Sequence, residues 1–79
     1  MKKKTTAYRT KFQIYSIFGQ CEAAAADHFI EHHGATRIPF LRIPEEMRVN
    51  EVGAHARFAV LIPAGHVKAF DEMCERLRS

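Results

Sequence analysis

From Thr5 to Phe18 the chain alternates with a period of two, with Tyr8, Phe12, Ile14 and Phe18 on one parity and Arg9, Lys11, Gln13, Tyr15 and Ile17 on the other. Successive strand side chains point to opposite faces of a sheet, so this pattern predicts a strand with one core-facing side and one basic, solvated side. Gly19 ends it. Over Gln20–His33 the spacing changes to threes and fours, gathering Ala25, Ala26, Phe29, Ile30 and His33 on one side of an alanine-rich helix. Gly34 suits the left-handed position just past a helix end, and His32 and His33 lie where cations complement the helix dipole.

Pro39 and Pro44 remove backbone donors, so the strand-like residues Thr36–Ile43 predict an edge or irregular strand, not a central one. Pro44, Glu45 and Glu46 read as a turn, and Asn50 to Gly53 as a bend. Ala54–Pro63 alternates again, with Phe58, Val60 and Ile62 opposite His55, Arg57, Ala59 and Leu61, and predicts a central strand. From about His66 to Leu77 an amphipathic helix follows, with Val67, Phe70, Met73, Cys74 and Leu77 on its apolar side. Lys68, Glu72 and Arg76 are spaced to pair along its wet side.

Short connections fold this β-α-β-β-α order into a two-layer α+β sandwich, a three-stranded, largely antiparallel sheet with two helices on one face. In that arrangement Tyr8, Phe12, Ile14, Phe58, Val60 and Ile62 meet Phe29, Ile30, Val67, Phe70, Met73 and Leu77 in a single core. The other face stays open. It gathers Arg9, Lys11, Gln13, Tyr15, His55 and Arg57 as the candidate partner-binding surface, joined by Arg37 or Arg42.

Seventy-nine residues, 47% of them hydrophobic, suffice for one small globular core. The expected organisation is a flexible basic terminus over residues 1–4 and a single domain over 5–79. Twelve Lys and Arg against nine Asp and Glu give a net charge of +3, a mild bias toward anionic partners. No apolar run approaches the ~20 residues of a membrane span, and no apolar segment follows Lys2, Lys3 and Lys4, so a cytoplasmic protein without membrane association is expected. Cys21 and Cys74 are too few for a disulfide framework and read as packed thiols, their proximity left open.

None of the reactive groups completes a signature. His28 and His32 have the four-residue spacing that lets two imidazoles reach one metal, but the zinc-protease motif needs Glu after the first His and Phe29 stands there. Cys21 in a first helical turn has His28 two turns away, beyond hydrogen-bond reach. Glu45 and Glu46 are adjacent carboxylates in a turn. No catalytic residue, metal or cofactor is assigned, and the chain is not expected to be an enzyme. A metal- or thiol-dependent enzyme is the third choice.

A cationic face with one exposed aromatic, Tyr15, suits either an acidic protein or a single-stranded nucleic acid. Stacking platforms ordinarily present two or three aromatics, which favours the protein. The expectation is a small binding protein that inhibits or regulates a partner, acidic or nucleoprotein, by covering its surface. Anti-CRISPR proteins, which mobile elements use against nucleoprotein complexes, are similar in size. Direct nucleic-acid binding is the alternative. Homodimerisation through Ile17 and Leu61, two apolar residues on the open face, is also compatible.

Overall fold

A computed structural model describes residues 11–79. Its elements are β1 (Phe12–Ile17), α1 (Gln20–His32), β2 (Thr36–Pro39), β3 (Phe58–Pro63) and α2 (Val67–Arg78), with short 3-10 turns at Phe40–Arg42, Glu45–Met47 and Ala64–His66. The fold is α+β, with a three-stranded antiparallel sheet in the order β1-β3-β2. As expected, β3 is central and the proline-bearing β2 lies at an edge. β2 is shorter than the predicted Thr36–Ile43, because the chain past Pro39 tightens into a 3-10 turn. The portion of the predicted first strand before Lys11, with Tyr8 and Arg9, and the proposed basic terminus at 1–4 lie outside the described residues.

Both helix ends follow from local chemistry. Glu22, in the first turn of α1, accepts hydrogen bonds from the backbone N–H groups of Phe18 and Gly19 at 3.0 and 3.3 Å. A carboxylate there satisfies otherwise orphaned donors and meets the positive end of the dipole. At the other end Gly34 takes φ +74°, and Ala35 N–H turns back to the Phe29 carbonyl at 3.2 Å. Only glycine adopts that conformation without steric cost. The helices run antiparallel, with Cys21 Sγ donating to the Leu77 carbonyl at one end and His33 stacked near His66 at the other.

The strand register corrects the predicted faces of β1. Tyr15 lies opposite Val60 and Ile17 opposite Phe58, and directly opposed residues of an antiparallel pair share a face. Tyr15 and Ile17 therefore join the helix-side core of Phe29, Val60, Ile62, Phe70 and Cys74, with Ile17 only 1% exposed. The ring of Tyr15 packs 5.0 Å from that of Phe70. Ile14, expected beneath the helices, points to the other side together with Phe18 of the same parity, and Phe12 and Leu77 are exposed instead of buried.

That other side is not open. The segment between β2 and β3 folds back over it, and Ile43 and Ala56 pack there with Ala59 of β3, joined by Ile14, Phe18, Ile38, Phe40 and Met47. Ala59, Val60 and Ile62 are all fully buried, so β3 is enclosed from both directions along much of its length. A strand buried on both faces reads as a continuous apolar run, and Phe58–Ile62 is one. The expected antiparallel sheet and two helices stand, but the sheet face expected to stay open is covered by the segment between β2 and β3. Ile17, buried under the helices, is unavailable for the dimer contact.

Candidate interaction surface

The cover owes its shape to Arg48 and Asn50. Arg48 donates from Nε to the Ile43 carbonyl at 2.8 Å and from Nη2 to the Leu41 carbonyl at 3.0 Å, while its guanidinium lies 5.4 Å from the centre of the Phe40 ring. One side chain thus closes residues 40–48 into a loop, using the fixed fork of guanidinium donors. Next along the chain, Val49 bridges His55, and Asn50 Oδ1 accepts from the N–H groups of Val52 and Ala54 at 3.0 and 2.9 Å. An asparagine bonding its own backbone two residues on is a standard turn device. Gly53 at φ +87° completes the turn.

Two apolar side chains are left pointing outward from this braced segment. Leu41 is 79% exposed and Val52 86%, the highest values among the large apolar side chains of the described residues. Val49 is partly exposed as well, and Arg42 and Arg57 are exposed cations on or beside the same segment.

The predicted surface residues are not brought together. Lys11 lies at the Pro63 end of the sheet, its carbonyl accepting from Ala64 N–H at 2.8 Å, whereas Arg57 lies at the other end, its N–H donating to the Ile17 carbonyl at 2.7 Å. Five strand steps separate those ends, about 17 Å. Gln13 is exposed on the helix side opposite Ile62, and Tyr15 is packed under α2. Of the five that are described, His55 and Arg57 adjoin the cover; Arg9 lies outside the described residues. Of the two cations named as additions, Arg37 sits with its guanidinium 3.9 Å from the centre of the Phe58 ring, on the helix side, and Arg42 belongs to the cover.

The comparisons with known proteins leave this surface to be read on its own. No protein-family model, no curated protein and no solved structure matches the chain.

The remaining reactive groups sit elsewhere. A notch of about 300 Å³ opens between β1 and α2, where Tyr15, Cys74, Glu22, Asp71, Glu75 and Arg78 line it. Burial, with Asp71 beside it, pushes the Tyr15 phenol above its ordinary range, and burial likewise pushes the Cys74 thiol up. A raised thiol is protonated at neutral pH, the reverse of what a nucleophile requires. Both cysteines are free thiols. Among the described residues Arg78 pairs with Glu22 at 3.9 Å and His32 Nε2 lies 3.6 Å from Glu31 Oε1, while the expected Lys68–Glu72–Arg76 ladder is not formed. No helix among the described residues is long and apolar enough to cross a membrane.

Sequence reasoning missed the cover because its residues carry no period. The available signal was a surplus: Ile38, Phe40, Ile43 and Met47 needed a partner, and both parities of β3 were apolar.

Proposed function

We propose that this chain is a binding module that inhibits or regulates a partner protein by covering part of its surface, and that Leu41 and Val52 are the side chains it inserts. The observation that carries this reading is the exposure of both residues on a segment whose backbone is braced by Arg48 and Asn50. Large apolar side chains that a fold holds rigidly in water contribute burial energy to an association without a further ordering cost. Arg42, next to Leu41 in the chain, and Arg57, just past the cover, are exposed cations that favour a partner with acidic groups around an apolar depression.

The charge distribution favours protein over nucleic acid. Phosphate binding needs an array of cations on one face, whereas among the described residues Lys11 and Arg57 lie at opposite ends of the sheet and Arg37 packs over the Phe58 ring on the helix side.

The test is affinity capture from the native host with an identified protein, followed by titration of that protein with the wild type and with Leu41→Asp and Val52→Asp. Saturable one-to-one binding that either substitution weakens about a hundredfold, with unchanged circular dichroism, supports the reading. Binding that both variants retain overturns it, as does salt-sensitive binding to oligonucleotides with no protein partner.

A further inference from the structure

β1 and β2 are both edge strands, and one of them is blunted. β2 is 4 residues long and ends on Pro39, whereas β1 runs 6 residues, Phe12–Ile17, with no proline, glycine or charged side chain among them. Short edges and proline are devices that keep a sheet from pairing further, so the unprotected rim is β1.

The ladder fixes which backbone groups face that rim. Ala64 N–H donates to the Lys11 carbonyl and Arg57 N–H to the Ile17 carbonyl, both from the β3 side. In an antiparallel ladder alternate residues point the other way, so Phe12, Ile14 and Ser16 present their N–H and C=O groups outward, where no described residue bonds them. The notch beneath α2 opens on this rim, since Tyr15, Ser16 and Ile17 line it and no residue of β3 does. Ser16 turns its hydroxyl to Met47 on the cover side, so it meets the notch with its backbone. Glu22, Asp71 and Glu75 outnumber Arg78 there, and Arg78 is engaged by Glu22 at 3.9 Å. The notch is anionic.

We propose that β1 pairs antiparallel with β1 of a second copy of this chain, joining two sheets into one and bringing Lys11 of each copy to the acidic notch of the other. Register and charge single out this occupant. Centring the pair on Ile14 sets Ile14 against its own counterpart and Phe12 against Ser16, so each outward N–H and C=O of the three finds a partner. The same register sets Lys11 opposite Ile17 of the second copy and Gln13 opposite its Tyr15. Directly opposed residues share a face, so both side chains arrive on the helix side, where Glu75 and Asp71 line the notch. Phe12, 46% exposed in the single chain, comes beside Ile14 of the second copy and is withdrawn from water. The contact closes on itself, because the edges that remain are the two blunted β2 strands. Leu41 and Val52 belong to the cover and take no part in it.

Sedimentation equilibrium of the full chain from about 1 to about 500 µM should show reversible exchange between monomer and dimer. Hydrogen exchange read by NMR reports the register: in the dimer the amides of Phe12, Ile14 and Ser16 gain protection, while those of Gln13, Tyr15 and Ile17, which face β3, stay as they were. Phe12→Pro removes an outward donor without touching the β3 ladder and should weaken the dimer at least tenfold. Lys11→Glu and Glu75→Lys should each weaken it about tenfold, and the two together should recover most of the loss. Leu41→Asp and Val52→Asp should leave it intact. A monomer throughout that range overturns the proposal, as does a dimer indifferent to Phe12→Pro and Lys11→Glu or one lost in Leu41→Asp. Protection of the three outward amides in the dilute monomer also overturns it, because the rim is then occupied within one chain.

Discussion

Ser16 on β1 donates a 2.6 Å hydrogen bond from its hydroxyl to the backbone carbonyl of Met47, tying the sheet to the cover across 31 residues of chain. The bond is directional. It fixes the height of the cover above the strand, while Ile43, Ala56 and Ala59 fill the space beside it.

If the cover seals the sheet, Ile43 is a core residue. Ile43→Ala should lower unfolding free energy by about 2–5 kcal/mol in urea denaturation, since Ile43 is 1% exposed. A loss below about 0.5 kcal/mol, the size of a surface effect, would show the face to be open.

Enlarging the residue beneath the cover gives an independent check. Ala59→Leu should destabilise by about 1–3 kcal/mol, because Ala59 is fully buried on a central strand and packs with Ile43 and Ala56. Amide exchange around Met47 should quicken in this variant.

Tyr15 is a packing residue by its position. Tyr15→Ala should cost about 2–3 kcal/mol of stability through the lost contact with Phe70 and the helix-side core. A variant of native stability would return Tyr15 to the solvent.

The two thiols should differ in reactivity. Cys74 is buried, with its thiol pushed up, whereas Cys21 is partly exposed. Iodoacetamide at about pH 8 should therefore label Cys21 first and Cys74 only on unfolding, as peptide mass spectrometry would show. Simultaneous labelling would contradict the packing.

Stability should fall at both extremes of pH. His33 is held below its ordinary 6.5, so the folded chain takes up its proton less readily than the unfolded chain. That contribution is complete above about pH 6.5 and is lost as pH falls through the lowered value. Tyr15 and Cys74 are held above their ordinary 10.0 and 9.0, so theirs is complete below about pH 9 and is lost as pH rises beyond it. Thermal melts of wild type and His33→Gln between about pH 5 and 7 check the acid side, where the variant should show the flatter profile.

The element order, the central position of β3 and the end of α1 at Gly34 were all legible, because each rests on local chemistry: apolar periodicity, proline's missing donor, glycine's access to positive φ. The faces of β1 were not. Both of its parities carry apolar residues, Ile14 and Phe18 on one and Tyr15 and Ile17 on the other, and a period-two pattern cannot rank two buried sides. The choice belongs to the register with β3, a long-range property. The candidate surface was hidden for a related reason, since Arg48 and Asn50 organise it through backbone carbonyls and amides that no side-chain pattern reveals. His33 was read as a helix end on the apolar side of α1, and His66 as a helix start, because their proximity depends on how α1 and α2 pack.

β1 and β2 meet only through β3, which is made after both of them. A nascent chain on the ribosome therefore holds two strands with no sheet neighbour until residues 58–63 emerge from the exit tunnel. The helix at 20–32 and the loop at 40–48 have local bonds to form meanwhile, but the sheet itself must close in one late, cooperative event.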